Sequence, residues 1–149
     1  MKFHWLALLL VIGAAIAVPA VSAKIVEEKD GYIVTSGDNT LILPEFARFG
    51  SALISQGQTH WYSTVVPAGK NSFYADLSWG NPANSLALRI TAPDATFGPY
   101  YDSADGTIDG RINLRISKTG GLASGTWGSR VYGHLVTGVQ SYTHTASAS

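Results

Sequence analysis

From Thr59 onward the chain alternates between apolar and polar positions. In "THWYSTVVPAG", Trp61, Ser63 and Val65 take turns with Tyr62, Thr64 and Val66 until Pro67-Ala68-Gly69 closes the run. "SFYADLSWG" sets Phe73, Ala75, Leu77 and Trp79 on one side, and Tyr74, Asp76 and Ser78 on the other. "NSLALRITAPDA" points Leu86, Leu88 and Ile90 inward and Ala87 and Arg89 outward, and Pro93-Asp94 ends it. "GRINLRISKTGG" repeats the device with Ile112, Leu114 and Ile116 against Arg111, Asn113 and Arg115. "GTWGSRVYGHLVTGVQSYT" reads as two strands joined near His134 and Leu135, with Trp127, Ser129 and Val131 on one face of the first. A period of two is that of an extended strand, whose successive side chains leave opposite faces. No window of comparable length has helical spacing.

Upstream the pattern is weaker. In residues 24–58, Tyr32–Thr35 and Thr40–Leu43 are short β-type runs, each preceded by an Asp-Gly or Gly-Asp-Asn turn signal, and Pro44 stops the second. "ARFGSALISQGQ" suits a brief helix or an extended edge equally. The end, "THTASAS", lacks large apolar residues, so residues 145–149 are expected to fray. Six or seven short strands, each with one apolar face, need a second layer to bury those faces. The expected fold is all-β: a two-layer antiparallel β-sandwich of jelly-roll or Greek-key type.

The first residues do not belong to that pattern. Lys2 and His4 precede an unbroken apolar run from Trp5 to Val18, and Val21-Ser22-Ala23 puts small residues where a signal peptidase cuts. Residues 1–23 are therefore expected to be a secretory signal peptide. Trp5–Val18 is shorter than the roughly 20 apolar residues of a membrane span, and contact with a membrane is expected only if the segment stays uncleaved as an anchor. The mature protein is then secreted or held at the cell surface. It is expected to form one domain over residues 24–144, with a core at 59–144 and an N-terminal extension at 24–58.

Composition narrows the function. With Lys2 removed, nine basic and ten acidic residues leave a formal charge of −1, with no basic stripe to neutralise phosphates, so nucleic acid is not an expected partner. Cysteine is absent, so an exported domain of this size must be stabilised by burial or by an ion rather than by disulfides. Charged residues make up 13% of the chain, about half the usual share.

"YYDSADGTIDGRINLRI" concentrates acids in one loop. Asp102, Asp105 and Asp109 lie close enough in sequence to converge, and Gly106 and Gly110 let the backbone turn its carbonyls inward. Calcium takes six to eight oxygen ligands at about 2.3–2.6 Å, and such a loop offers them. Ala104 occupies the second ligand position of an EF-hand and no glutamate follows, so that motif is absent. The competing interpretation is that Asp105-Gly106 and Asp109-Gly110 are consecutive tight turns. Catalytic use is disfavoured, because glycoside hydrolysis needs two acids about 5–9.5 Å apart across a cleft, one with a raised pKa. Gly-x-Ser-x-Gly elbows and paired histidines are also missing, and His60 beside Trp61 fits a surface or sheet-edge position. Aromatic rings supply a second kind of candidate. Trp79, before Gly80-Asn81-Pro82, and Tyr100-Tyr101 lie at strand ends, where rings can stack on a sugar or peptide. Trp79 also continues the inward register of Phe73 and Leu77. Tyr100 and Tyr101 cannot both point inward, so one is expected at the surface.

The ordered set "HWYSTVVPAGKNSFYADLSWGNPANSLALRITAPDA" and "GTWGSRVYGHLVTGVQSYT" resembles the bacterial and archaeal pre-peptidase C-terminal domain. The likeness spans roughly residues 56–143. Its marks are an aromatic strand ending in Val-Pro-Ala-Gly, apolar alternation before a Pro-Asp turn, and Gly125-Thr126-Trp127 running into Val131-Tyr132-Gly133. That family is a secreted β-sandwich often appended to proteases. The resemblance implies a module of a kind that binds calcium or a polymeric substrate, without a ligand set that maps residue by residue, and the family's role as accessory to an enzyme in the same chain is not carried over. An attached peptidase is not expected, and residues 24–55 stand outside the family pattern. The expectation is a non-catalytic binding or structural module whose partner is an extracellular protein or a polysaccharide. A carbohydrate-binding module for envelope or cell-wall glycans is the alternative, and an exported hydrolase is the weakest one.

Overall fold

The computed structural model describes residues 24–37 and 50–149. The signal-type segment 1–23 and the run Thr40–Leu43 lie outside the described residues. Ten strands are present: β1 Ile25–Lys29, β2 Tyr32–Ser36, β3 Gly50–Ser55, β4 Thr59–Val66, β5 Ser72–Ser78, β6 Ser85–Ala92, β7 Ala95–Tyr100, β8 Arg111–Lys118, β9 Gly125–Leu135 and β10 Val139–Ala148. A single 3-10 turn, Asp102–Asp105, is the only helical element among the described residues.

The strands form two antiparallel sheets. One has six strands in the order β1-β2-β8-β5-β10-β3, and the other has four in the order β4-β9-β6-β7. Numbered within β3–β10 alone, the orders become 6-3-8-1 and 2-7-4-5, the jelly-roll arrangement, with the β1–β2 hairpin added beside β8. The inward registers are those the alternation predicts. Phe73, Leu77, Ile112, Leu114 and Ile116 on the six-stranded sheet meet Leu86, Leu88, Ile90, Phe97, Trp127 and Val131 on the other, and all are buried. Each sheet keeps one wet face, which is why the period-two signal is clean here.

Two features depart from the sequence expectations, and one open choice is decided. Residues 145–148 do not fray: they belong to β10, pairing Thr145↔Asp76 through Ala148↔Phe73 with β5. Small residues suffice there because Ala146 and Ala148 pack against the core while backbone hydrogen bonds hold the strand. "GSALIS", where the pattern suited a brief helix or an extended edge equally, is an edge strand. An additional strand, β7, follows Pro93-Asp94 through a tight connection, pairing Ala92↔Ala95 and Ile90↔Phe97.

One polar group in the interior gives the fold a pH dependence. His144 on β10 is buried, and its Nδ1 lies 3.0 Å from the Asp76 backbone carbonyl. Its ring sits against Tyr62, and its Nε2 has no partner among the described residues. Burial holds the imidazole pKa below its ordinary value, opposed by the Asp76 carbonyl. The unfolded chain then binds the proton more readily than the folded one. Stability is complete above about pH 6.5 and falls as the pH drops from there through the lower folded value. Asp105 acts in the opposite sense, since burial raises its pKa, so the comparison must be made between variants. His144→Gln should flatten the loss of melting temperature between pH 7.5 and 5. Parallel curves for the two proteins would mean that His144 is not the group responsible.

Candidate functional site

The acidic loop is built around Asp102. Its carboxylate is buried and accepts backbone N–H bonds from Asp109 at 3.2 Å, Gly110 at 3.0 and 3.1 Å, and Arg111 at 3.3 Å. Asp105 accepts from the backbone N–H groups of Thr107 and Asn113. Asp109 is exposed. Among the described residues no three His, Asp or Glu side chains gather closely enough to hold a metal. Asp105 makes the local bond to the residue two places on that Asp-Gly turns favour, whereas the Asp102 carboxylate reaches seven to nine residues ahead to the backbone that closes the loop. Gly110 is required on two counts: its φ is +77°, and a Cβ there would lie 2.8 Å from the Asn81 nitrogen.

Three other carboxylates are engaged as well. Asp76 accepts from Arg111 at 2.6 Å and from Asn113 at 2.9 Å. Glu27 Oε1 accepts from the Tyr100 hydroxyl at 2.6 Å and from the Gly98 N–H. Asp94 accepts from Tyr32 and Lys118, and the Tyr32 bond holds its pKa below the usual range.

Two of the three aromatic candidates are structural. Trp79 is 6% exposed. Its indole N–H donates to the Asn81 and Asn84 carbonyls, closing the turn before β6, while Gln140 donates to the Trp79 carbonyl. It is a core and turn-locking ring, not a contact residue, as its shared register with Phe73 and Leu77 dictates. Tyr100 is buried, with its hydroxyl on Glu27. Tyr101 is the exposed member of the pair and lies 4.6 Å from the His134 ring.

Tyr101 borders a surface that sequence reasoning did not assemble: the outer face of the four-stranded sheet. Strand register puts Trp61 of β4 opposite Arg130 of β9, and Arg130 opposite Arg89 of β6. One row across three adjacent strands therefore reads Trp-Arg-Arg. In the next row Tyr132 lies opposite Ala87. The Arg130 guanidinium sits 6.0 Å from the Trp61 ring centroid and 5.5 Å from that of Tyr132, within cation–π range. Trp61 is 67% exposed. Ala87, small and outward, forms the floor of a shallow cleft of about 100 Å³ walled by Arg89, Pro99, Tyr101, Arg130 and Tyr132.

The electrostatics of this row are unusual. Like charges directly opposite on neighbouring strands destabilise a sheet, yet Arg89 and Arg130 share such a pair. The ion pairs among the described residues are Arg111–Asp76 and Lys118–Asp94, and neither involves this face. Arg89 Nε is buried with no hydrogen-bond partner among the described residues. The available signal in the sequence was the outward parity of Arg89. Its pairing with a residue on β9 depends on strand order, which alternation does not encode.

No protein-family model matches the chain. A curated relative from Archaeoglobus fulgidus, described as an uncharacterized protein, is 42% identical over 43 residues, covering 29% of this chain and 59% of that protein. Among solved structures, the chain is similar to Aeromonas hydrophila PliG, a periplasmic inhibitor of g-type lysozyme. The TM-score is 0.44 and the identity 19%, over 69% of this chain and 86% of that one.

Proposed function

We propose that this protein is a non-catalytic binding module, secreted or held at the cell surface, that recognises a glycan through the outer face of its four-stranded sheet. The observation carrying this reading is the exposure of Trp61 beside Arg130, in line with Arg89 and next to the Tyr101–Tyr132 cleft. Flat rings on a rigid sheet stack on sugar faces, and hydroxyls and guanidinium groups around them hydrogen-bond sugar oxygens. A protein-binding patch would be expected to have an apolar centre. Here the rings alternate with arginines and with the small polar positions Ser63, Thr91 and Thr126 of the same face. The strands that resemble the pre-peptidase C-terminal domain, residues 56–143, include every residue of this surface. The non-catalytic assignment is supported by Asp76, Asp102 and Glu27, each tied into structural hydrogen bonds.

Tryptophan emission provides the test, because Trp79 and Trp127 are buried while Trp61 is not. Titrating the protein with a panel of soluble neutral and acidic polysaccharides should perturb the Trp61 emission for at least one of them. Trp61→Ala should weaken that binding about tenfold with an unchanged melting temperature. A panel without a single binder, or binding indifferent to both Trp61→Ala and Tyr132→Ala, would refute the proposal.

A further inference from the structure

From the Arg89–Arg130 pair we infer that the glycan is acidic, and that these two side chains together clamp the carboxylate of a uronic-acid residue. The inference rests on the glycan reading above and adds to it the charge of the ligand. Its starting point is a cost. Two arginines occupy directly opposed positions on β6 and β9, strands whose backbones run about 4.8 Å apart. Among the described residues no carboxylate is paired with either, and Arg89 Nε is left buried without an acceptor. A single anionic group placed between them removes the repulsion and satisfies that donor at once.

Carboxylate chemistry fits the site. Guanidinium forks present parallel N–H groups matched to the two oxygens of a carboxylate, and charge-assisted bonds of this kind are about twice as strong as neutral ones. Arg130 is already held between the Trp61 and Tyr132 rings, so little side-chain freedom is lost when it binds. The row places an exposed indole on one side of the pair and the small cleft over Ala87 on the other. One sugar ring on Trp61 and its carboxylate-bearing neighbour over the arginines would occupy adjacent positions along a single chain. The face has no continuous apolar centre, so an acidic polysaccharide suits it better than an acidic protein surface.

Polygalacturonate and its carboxyl-reduced, neutral derivative make the comparison, with polyglutamate as the polypeptide arm. The wild-type protein should bind polygalacturonate roughly tenfold or more tightly than the reduced polymer, and the preference should shrink as salt rises. Arg89→Gln/Arg130→Gln should bring the two polymers to equal affinity, while Trp61→Ala weakens both. Arg115→Gln removes a positive charge from the other sheet and should leave the preference intact. Removing the facing arginines relieves their repulsion, so the double variant should melt no lower than wild type. Equal, Trp61-dependent binding of both polymers would overturn the carboxylate clamp while leaving the glycan reading standing. Binding of neither would overturn the clamp, and the glycan reading would then stand or fall on the wider panel. A preference that survives in the double variant, or polyglutamate binding as tightly as polygalacturonate, would also overturn the inference.

Discussion

Trp127→Ala should lower the stability of the domain by about 3–5 kcal/mol, the range for removing a fully buried aromatic side chain. For a domain of this size that corresponds to a fall of roughly 10–20 °C in melting temperature. Trp127 is wholly buried on β9. Its ring stacks on Phe73 of the opposite sheet at 4.6 Å, lies 6.3 Å from Phe97, and receives the edge of Tyr32 at 5.9 Å. One side chain thus ties the inner strands of both layers to the β1–β2 hairpin, and its N–H donates to the Ala123 carbonyl at 2.9 Å. Alanine leaves a cavity walled by three rings that cannot close in without moving both sheets. Trp127→Phe keeps the stacking and should cost only about 1–2 kcal/mol, from the lost hydrogen bond and volume. Thermal or urea melts of the two variants check this. A loss below 1 kcal/mol for alanine would show that the sheets are held together elsewhere.

Asp102→Ala is expected to be nearly as damaging, at about 2–4 kcal/mol, although it removes only a carboxylate. Three backbone N–H groups, of Asp109, Gly110 and Arg111, lose their acceptor together. A buried donor without a partner costs about 1–3 kcal/mol, and the exposed Asp109 end of the loop recovers part of this from water. Asp102→Asn retains one acceptor oxygen and should fall between wild type and alanine. The same melts bear on the ion that the loop composition suggested. With Asp102 engaged by its own backbone, calcium and chelator should give nearly the same wild-type midpoint. If calcium instead raised that midpoint by several degrees, and Asp102→Asn abolished the rise, the loop would be an ion site after all, since a ligand bound only to the folded form stabilises by mass action.

How much of this was legible depended on how each segment is exposed. β5, β6, β8 and β9 each bury one face and wet the other, so Phe73–Leu77, Leu86–Ile90, Ile112–Ile116 and Trp127–Val131 declare their register in the sequence. β1 carries Glu27, Glu28 and Lys29 at the border of its sheet and buries none of its residues fully, so it has no alternation to read. Charged residues there suit an edge strand that must not pair with another chain. β7 was hidden by Pro93-Asp94, which ends β6 but also turns the chain directly into the next strand. In the acidic loop, spacing showed that three carboxylates were near one another but not which way they pointed. Asp102 turns into the loop backbone and Asp109 to solvent, a distinction that depends on φ/ψ at Gly106 and Gly110. The arginine row was invisible for a different reason: Arg89 and Arg130 become neighbours only because β6 lies beside β9 in a jelly roll.

β10 joins two strands that are not paired with each other. Val139–His144 pairs with β3 and Thr143–Ala148 with β5, so the larger sheet contains β3 only through it. A growing chain must therefore wait, with β5 an open border and β3 without a strand partner, until residue 148 has been made. The interval before that moment is when this protein is most exposed to aggregation and proteolysis, and when a chaperone would have an unpaired strand to hold.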